Sequence, residues 1–201
     1  MPSDTFPSSK PLAAIFAIIG PFVLVSYYLA LKDATEKEID NLFAGITGFF
    51  KVPFAVLPPM CAIAYIYSTW FVLNLPADAT VLGMAWKGGG ETLVCVLYFI
   101  VIFLSCFWMP ATVRCLRAEK GGVAAVIFIL NGVGIAACVL AVCALTTKGT
   151  GLPNGGLKLH QGCALLFAAQ TQITDGFIWS YMFAKMMDER RGGSDYAAAG
   201  N

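Results

Sequence analysis

Apolar residues run almost unbroken through five stretches set apart by short polar segments: Pro11 to Lys32, Pro53 to Leu75, Thr92 to Leu116, Gly122 to Thr147 and Leu159 to Lys185. A helix needs about 20 mostly apolar residues to cross the hydrocarbon core of a bilayer, and each stretch reaches that length. The pattern predicts an all-α integral membrane protein, a bundle of five transmembrane helices. Residues 1–10 and 186–201 are polar tails, and five crossings put the termini on opposite sides of the membrane.

The first connection, Asp33 to Phe50, has a different rhythm. Ile39, Leu42, Phe43, Ile46, Phe49 and Phe50 recur at three- and four-residue steps, while Glu36, Lys37, Glu38 and Asp40 gather at its start. This is the pattern of an amphipathic interfacial helix, with Asp33 placed to cap it and acids suited to the positive end of its dipole. It reads either as a tether on the headgroups or as a lid over a cavity. The later connections "KGGGE" and "TTKGTGLPNGG" read as flexible turns, and neither has the spacing of a phosphate-binding loop.

Composition agrees with the spans: 58% of residues are hydrophobic and 12% charged, too apolar for one water-soluble globule of this length. A net charge of +1 leaves no basic surplus for a nucleic-acid partner. Nine of the 13 Lys and Arg residues flank the first loop, third loop and C-terminus, against four on the other side, which predicts that the first loop and C-terminus are cytosolic. The N-terminus lacks the Arg-rich character of a transit peptide, and the first span is long enough for an uncleaved signal anchor. The cysteines, Cys61, Cys95, Cys106, Cys138, Cys143 and Cys163 among them, lie inside predicted spans without metal-ligand spacing, as packing residues do.

Polar groups inside a span are costly, so each implies a partner. Asp175 should turn inward or bond to Gln170, Gln172 or Thr174. Asn131, beside Gly132 and Gly134, suits a close helix–helix contact. His160 is the only histidine, so metal catalysis is not expected, and an axial contact to haem iron is the weaker reading. No nucleophile–base–acid set, carboxylate pair or nucleotide fingerprint is visible. An aromatic-lined bundle with a few inward polar groups suits a flat or waxy hydrophobic ligand.

The third stretch carries Leu97, Tyr98, Leu104, Trp108 and Pro110 in the spacing L-Y-x5-L-x3-W-x-P. It resembles the third span of the translocator protein family, the tryptophan-rich sensory proteins (TspO), with Ser105 where that family has Asn. Upstream, Lys51, Pro53, Pro58, Pro59, Ala64, Ile66 and Thr69 resemble the family's Lys-Pro and Pro-Pro elements, with Tyr67 in place of Trp. Asp175 and Trp179 resemble its N-x3-W, and Phe167 falls at another aromatic position. Phe49-Phe50 departs from the family's Trp-Tyr, and a Trp expected early in the fourth span is missing. The likeness covers residues 11 to 185.

The resemblance implies a membrane receptor or carrier that binds porphyrin or haem, and more weakly sterols, in an intramembrane cavity, with no cofactor required. The implied ligand-binding residues are Ala64, Ile66, Tyr67, Trp108, Thr171 and Thr174, with Phe49, Phe50, Phe54, Pro58 and Pro59 at the entrance and Ser105, Asp175 and Trp179 behind. Pro58 and Pro59 would start the second span, and Pro110 would bend the third. A homodimer is implied, in the mitochondrial outer membrane or an endomembrane if the cell is eukaryotic. The sterol motif is met loosely by Ile178, Tyr181 and Lys185. The alternatives are a light-dependent porphyrin-degrading enzyme, disfavoured by Phe49, Phe50 and Phe54 standing where oxidisable Trp would be needed, and a structural subunit of a larger membrane complex.

Overall fold

A computed structural model describes residues 9–42, 46, 51–118 and 122–198, without the side chains of residues 51, 53–55 and 191–198. Four helices are long and apolar enough to cross a membrane: Lys10–Leu31, Val56–Leu73, Trp86–Ala118 and Val123–Thr146. This is a mostly helical, multi-pass membrane protein. Its outer faces suit acyl chains rather than water: Leu24, Ile63 and Phe128 each expose 70% or more of their surface.

Helix α1 (Lys10–Leu31) starts where Ser9 accepts a bond from the Leu12 N–H. A short α2 (Glu36–Asn41) follows in the first loop. Its cap is Thr35 rather than Asp33: Thr35 Oγ1 takes the Glu38 N–H at 3.2 Å and Glu38 Oε2 takes the Thr35 N–H at 2.7 Å. The reciprocal box needs Thr and Glu three residues apart, and only Thr35 and Glu38 meet that condition here. The helical turns expected over 43–45 and 47–50 lie outside the described residues, Phe49 and Phe50 among them.

Helix α3 (Lys51–Leu73) overturns the expectation that Pro58 and Pro59 open the second span, because the helix begins about two turns earlier and both prolines lie inside it. The carbonyls of Phe54 and Ala55 lose their helical donors as a result. Both proline rings are exposed.

The second connection carries a short hairpin ahead of the segment "KGGGE". Strands β1 (Thr80–Val81) and β2 (Met84–Ala85) pair antiparallel, and Thr80 also bridges to Lys148. Leu82 and Gly83, at φ 52° and 75°, form the two-residue turn, whose right-handed twist match requires positive φ at both positions. The fully buried Trp86 then plugs the bundle end before α4 (Glu91–Ala118) begins.

Helix α5 (Val123–Thr146) leads to one continuous helical run in three parts: α6 (Asn154–Ala169), a π-helical segment (Gln170–Trp179) and α7 (Ser180–Ala198). Around the bundle, α1 packs on α4, α4 on α5, α5 on α6 and the π-segment, and α6 on α3. A ring contact of 5.9 Å between Phe16 and Tyr65 brings α3 back to α1. In the middle, Phe16, Tyr65, Tyr98 and Phe167 interlock at centroid distances of 4.8 to 5.9 Å.

Candidate functional site

The feature that organises the α2 half of the interior is the π-segment. Residues five apart on an α-helix point about 140° away from one another, whereas the wider i→i+5 turn brings them onto one face. Gln170 and Asp175 are such a pair, and Gln170 Nε2 donates to Asp175 Oδ1 at 3.0 Å. The bond turns the half-buried Asp175 carboxyl toward Gln170, which is itself buried. On the other flank, Asn131 of α5 donates to the Gly176 carbonyl at 3.3 Å and accepts from Gln172 Nε2 at 3.3 Å.

Trp108 of α4 looks into the same region. Its ring lies 5.6 Å from Tyr27 and 6.1 Å, edge to face, from Trp179, which stacks on Phe183 at 4.6 Å. Its indole N–H is buried and has no hydrogen-bond partner among the described residues, and the same holds for the side-chain oxygens of Gln170 and Gln172. An orphaned buried polar atom costs about 1–3 kcal/mol, so each marks a point where another molecule could supply the missing bond; Trp86 Nε1 and His160 Nε2 are orphans of the same kind in the opposite half.

Two side chains, donating three bonds, close this half. Trp179 Nε1 donates to the Leu42 carbonyl at 2.7 Å, and Arg117 Nε donates to Glu38 Oε1 at 2.7 Å while its Nη2 reaches the Asp33 carbonyl at 3.2 Å. The bond from Arg117 and the capping bond from Thr35 together hold the Glu38 carboxyl down at about 2.

The opposite half is built differently. Ser68 Oγ and His160 Nδ1 are 3.0 Å apart, and the imidazole stacks on Phe71 at 4.6 Å. A cavity of about 20 Å³, room for a single water, lies among Ser68, Tyr98, Trp86 and His160. His160 is fifteen residues before Asp175 along the same helical run, on the order of 20 Å away, so an axial haem contact there would not share the Trp108 region. A larger hollow of about 570 Å³ opens between α1 and α4, lined by Ser26, Leu29, Ala30, Pro110, Val113, Arg114, Arg117 and Ala118.

The residues singled out by sequence fall into three groups. Trp108 and Trp179 come together, with Asp175 bonded to Gln170, Thr171 and Thr174 buried on the π-segment and Ala64 buried on α3. Ile66 is 66% exposed on the outer face, and Tyr67 turns towards α6, its hydroxyl donating to the Gly156 carbonyl at 3.4 Å. Ser105 bonds back to the Val101 carbonyl of its own helix. The third group, Phe49, Phe50 and the Phe54 side chain, lies outside the described residues, and Pro58 and Pro59 are exposed. Sequence reasoning missed Tyr27, which passes for an ordinary interfacial aromatic, and the π-segment, whose only trace is the polar run "QTQITD" inside an apolar stretch.

All seven cysteines are free, and no group of three or more His, Cys, Asp or Glu residues suited to a metal occurs among the described residues. No family model, curated protein or solved structure matches the chain.

Proposed function

We propose that this protein is a five-helix membrane receptor or carrier for a flat hydrophobic ligand of the tetrapyrrole class, seated in the α2 half between Trp108, Tyr27 and the π-segment, with the first loop on the cytosolic side. The observation that carries the reading is the coincidence of the buried, unpartnered Trp108 indole N–H and Gln170 oxygen with an inward carboxyl and a stack of aromatic rings. Ring faces suit a conjugated macrocycle, and the orphaned groups suit its few polar atoms. The rings now fill that space against one another, so the ligand displaces ring contacts on entry. The first loop yields most readily, being tied there by Trp179 and Arg117 side chains.

The purified chain in detergent, titrated with protoporphyrin and read by tryptophan quenching, is expected to bind saturably at about one site per chain. Trp108→Phe keeps a ring but removes the N–H, and should weaken binding about 3–10-fold, the worth of one hydrogen bond. Non-saturable uptake, or equal affinity of Trp108→Phe and the parent, overturns the reading.

A further inference from the structure

The hollow between α1 and α4 shares Arg117 with the loop tie described above and otherwise has its own chemistry. On α4, Pro110, Val113, Arg114 and Arg117 recur at three- and four-residue steps and so share one face. The facing wall on α1 includes Ser26 and Ala30, spaced by four. The small side chains on α1 leave the space between the two helices unfilled here, about 570 Å³ with apolar flanks and a basic end. Arg117 spends two of its five donors on Glu38 Oε1 and the Asp33 carbonyl, and Glu38 balances its charge. Arg114 is exposed and has no hydrogen-bond or ion-pair partner among the described residues, so the hollow carries one uncompensated positive charge. Arg114 lies four residues before the end of α4, about 6 Å along the axis, which is headgroup depth for a helix that crosses a bilayer.

We propose that this hollow is a binding site for one anionic phospholipid, its phosphate held by Arg114 and the free donors of Arg117 and an acyl chain laid between α1 and α4. The charge count favours a monoanionic headgroup over a zwitterionic one: a choline group would bring a second cation to a place that already has an excess of one. An apolar wall continuous with the outer face of α1, where Leu29 is 55% exposed, gives the acyl chain a lateral way in from the bilayer.

The test uses the full chain reconstituted in vesicles of phosphatidylcholine mixed with phosphatidylglycerol, followed by native mass spectrometry of the extracted protein. One retained phosphatidylglycerol per chain is expected, in preference to phosphatidylcholine. Arg114→Gln should lower that retention about fivefold, the worth of one basic residue at a headgroup, and Arg114→Lys should restore most of it. Lys158→Gln, an exposed cation at the far end of the bundle, should change nothing, and an unaltered melting temperature for Arg114→Gln separates lost binding from misfolding. Equal retention of the two lipids, or retention indifferent to Arg114→Gln, overturns the proposal. So does loss of the bound lipid on adding inorganic phosphate or protoporphyrin in equimolar amount, which would reassign the arginines to that anion. A variant that loses dimer rather than lipid would assign the face to a second copy of the chain and overturn it as well.

Discussion

At the hairpin end of the bundle the chain is closed by its own backbone. Thr80 and Lys148 exchange two main-chain bonds, at 2.7 and 3.0 Å, the Trp86 N–H bonds the Ala79 carbonyl at 2.7 Å, and the Trp86 ring fills what is left. At the α2 end the first loop is held only by side chains, the Trp179 indole and the Arg117 guanidinium, while buried polar atoms without a partner among the described residues occur at both ends, Trp86 Nε1 and His160 Nε2 at the hairpin end among them. Backbone bonds form a ladder that opens only as a unit, whereas side-chain bonds can break one at a time while the helices stay in place. The difference argues that the hairpin end is the fixed base of the bundle and the α2 end its working face.

The harshest way to disturb that working face is through the helix that supports it. A Cβ added at Gly134 would stand 2.4 Å from Gln172 Oε1 and 2.9 Å from Gln172 Cα. The side-chain amide could swing aside, but the Cα belongs to the π-segment backbone and cannot move alone. Gly134→Ala should therefore destabilise the protein by about 1–3 kcal/mol, the usual cost of overpacking, seen as a lower thermal midpoint in detergent. Gly162→Ala, where nothing lies within 4 Å, should leave the midpoint nearly unchanged. If both variants melted alike, α5 and the π-segment would not be in the close contact described.

Next in size is the base itself. Gly83, at φ 75°, sits where an L side chain meets its own carbonyl, so Gly83→Ala should cost about 1–2 kcal/mol and loosen the hairpin. Hydrogen exchange should rise at Thr80, Trp86 and Lys148 and stay unchanged at the first loop. Exchange rising at both ends would mean that the two halves open together, and the contrast between them would fail.

What the sequence made legible follows the same division. The helices are visible because a long apolar run has few other uses, and the inward turn of Trp108 and Asp175 follows from the cost of facing such groups to lipid. The cap was visible too: "TEKE" carries Thr35 and Glu38 in the box spacing, and the nearby Asp33 drew attention away from it. The hairpin was not visible, since its strands have two residues each, too few for alternation to show, and Leu82 stands where Asn or Gly would have signalled the turn. Nor was the π-segment, because pairing at i and i+5 matches no helical or strand template. Ile66 turns outward because a resemblance carries a residue over by position, whereas the face it presents depends on which side of α3 packs against α6.

A gentler change singles out one of the two ties at the working face. Trp179→Phe keeps the stack on Phe183 and loses the N–H to the Leu42 carbonyl, at a cost of about 0.5–1.5 kcal/mol. Limited proteolysis should then cut within the first loop faster than in the parent, with the hairpin cut no faster. Unchanged cleavage would remove this tie from the account of how the loop is held.

The smallest effect concerns the second tie and is read by pH. Glu38 has its carboxyl lowered from an ordinary 4.5 to about 2, so whatever stability the bond to Arg117 adds is fully present above about 4.5 and is lost as pH falls through about 2. The melting difference between the parent and Glu38→Gln should hold steady down to about pH 4.5 and then shrink towards zero near pH 2. Asp78 at the hairpin end supplies the internal comparison: its carboxyl is also held below the usual range, by the Thr150 hydroxyl and N–H rather than by a cation. Added salt screens an exposed ion pair and leaves bonds from neutral donors largely intact, so the Glu38 midpoint, followed by carboxyl NMR, should climb with ionic strength while that of Asp78 barely moves. A Glu38 midpoint that barely moves, as that of Asp78 does, would mean that the Glu38 carboxyl is held by its Thr35 bonds alone and that Arg117 does not tie the loop.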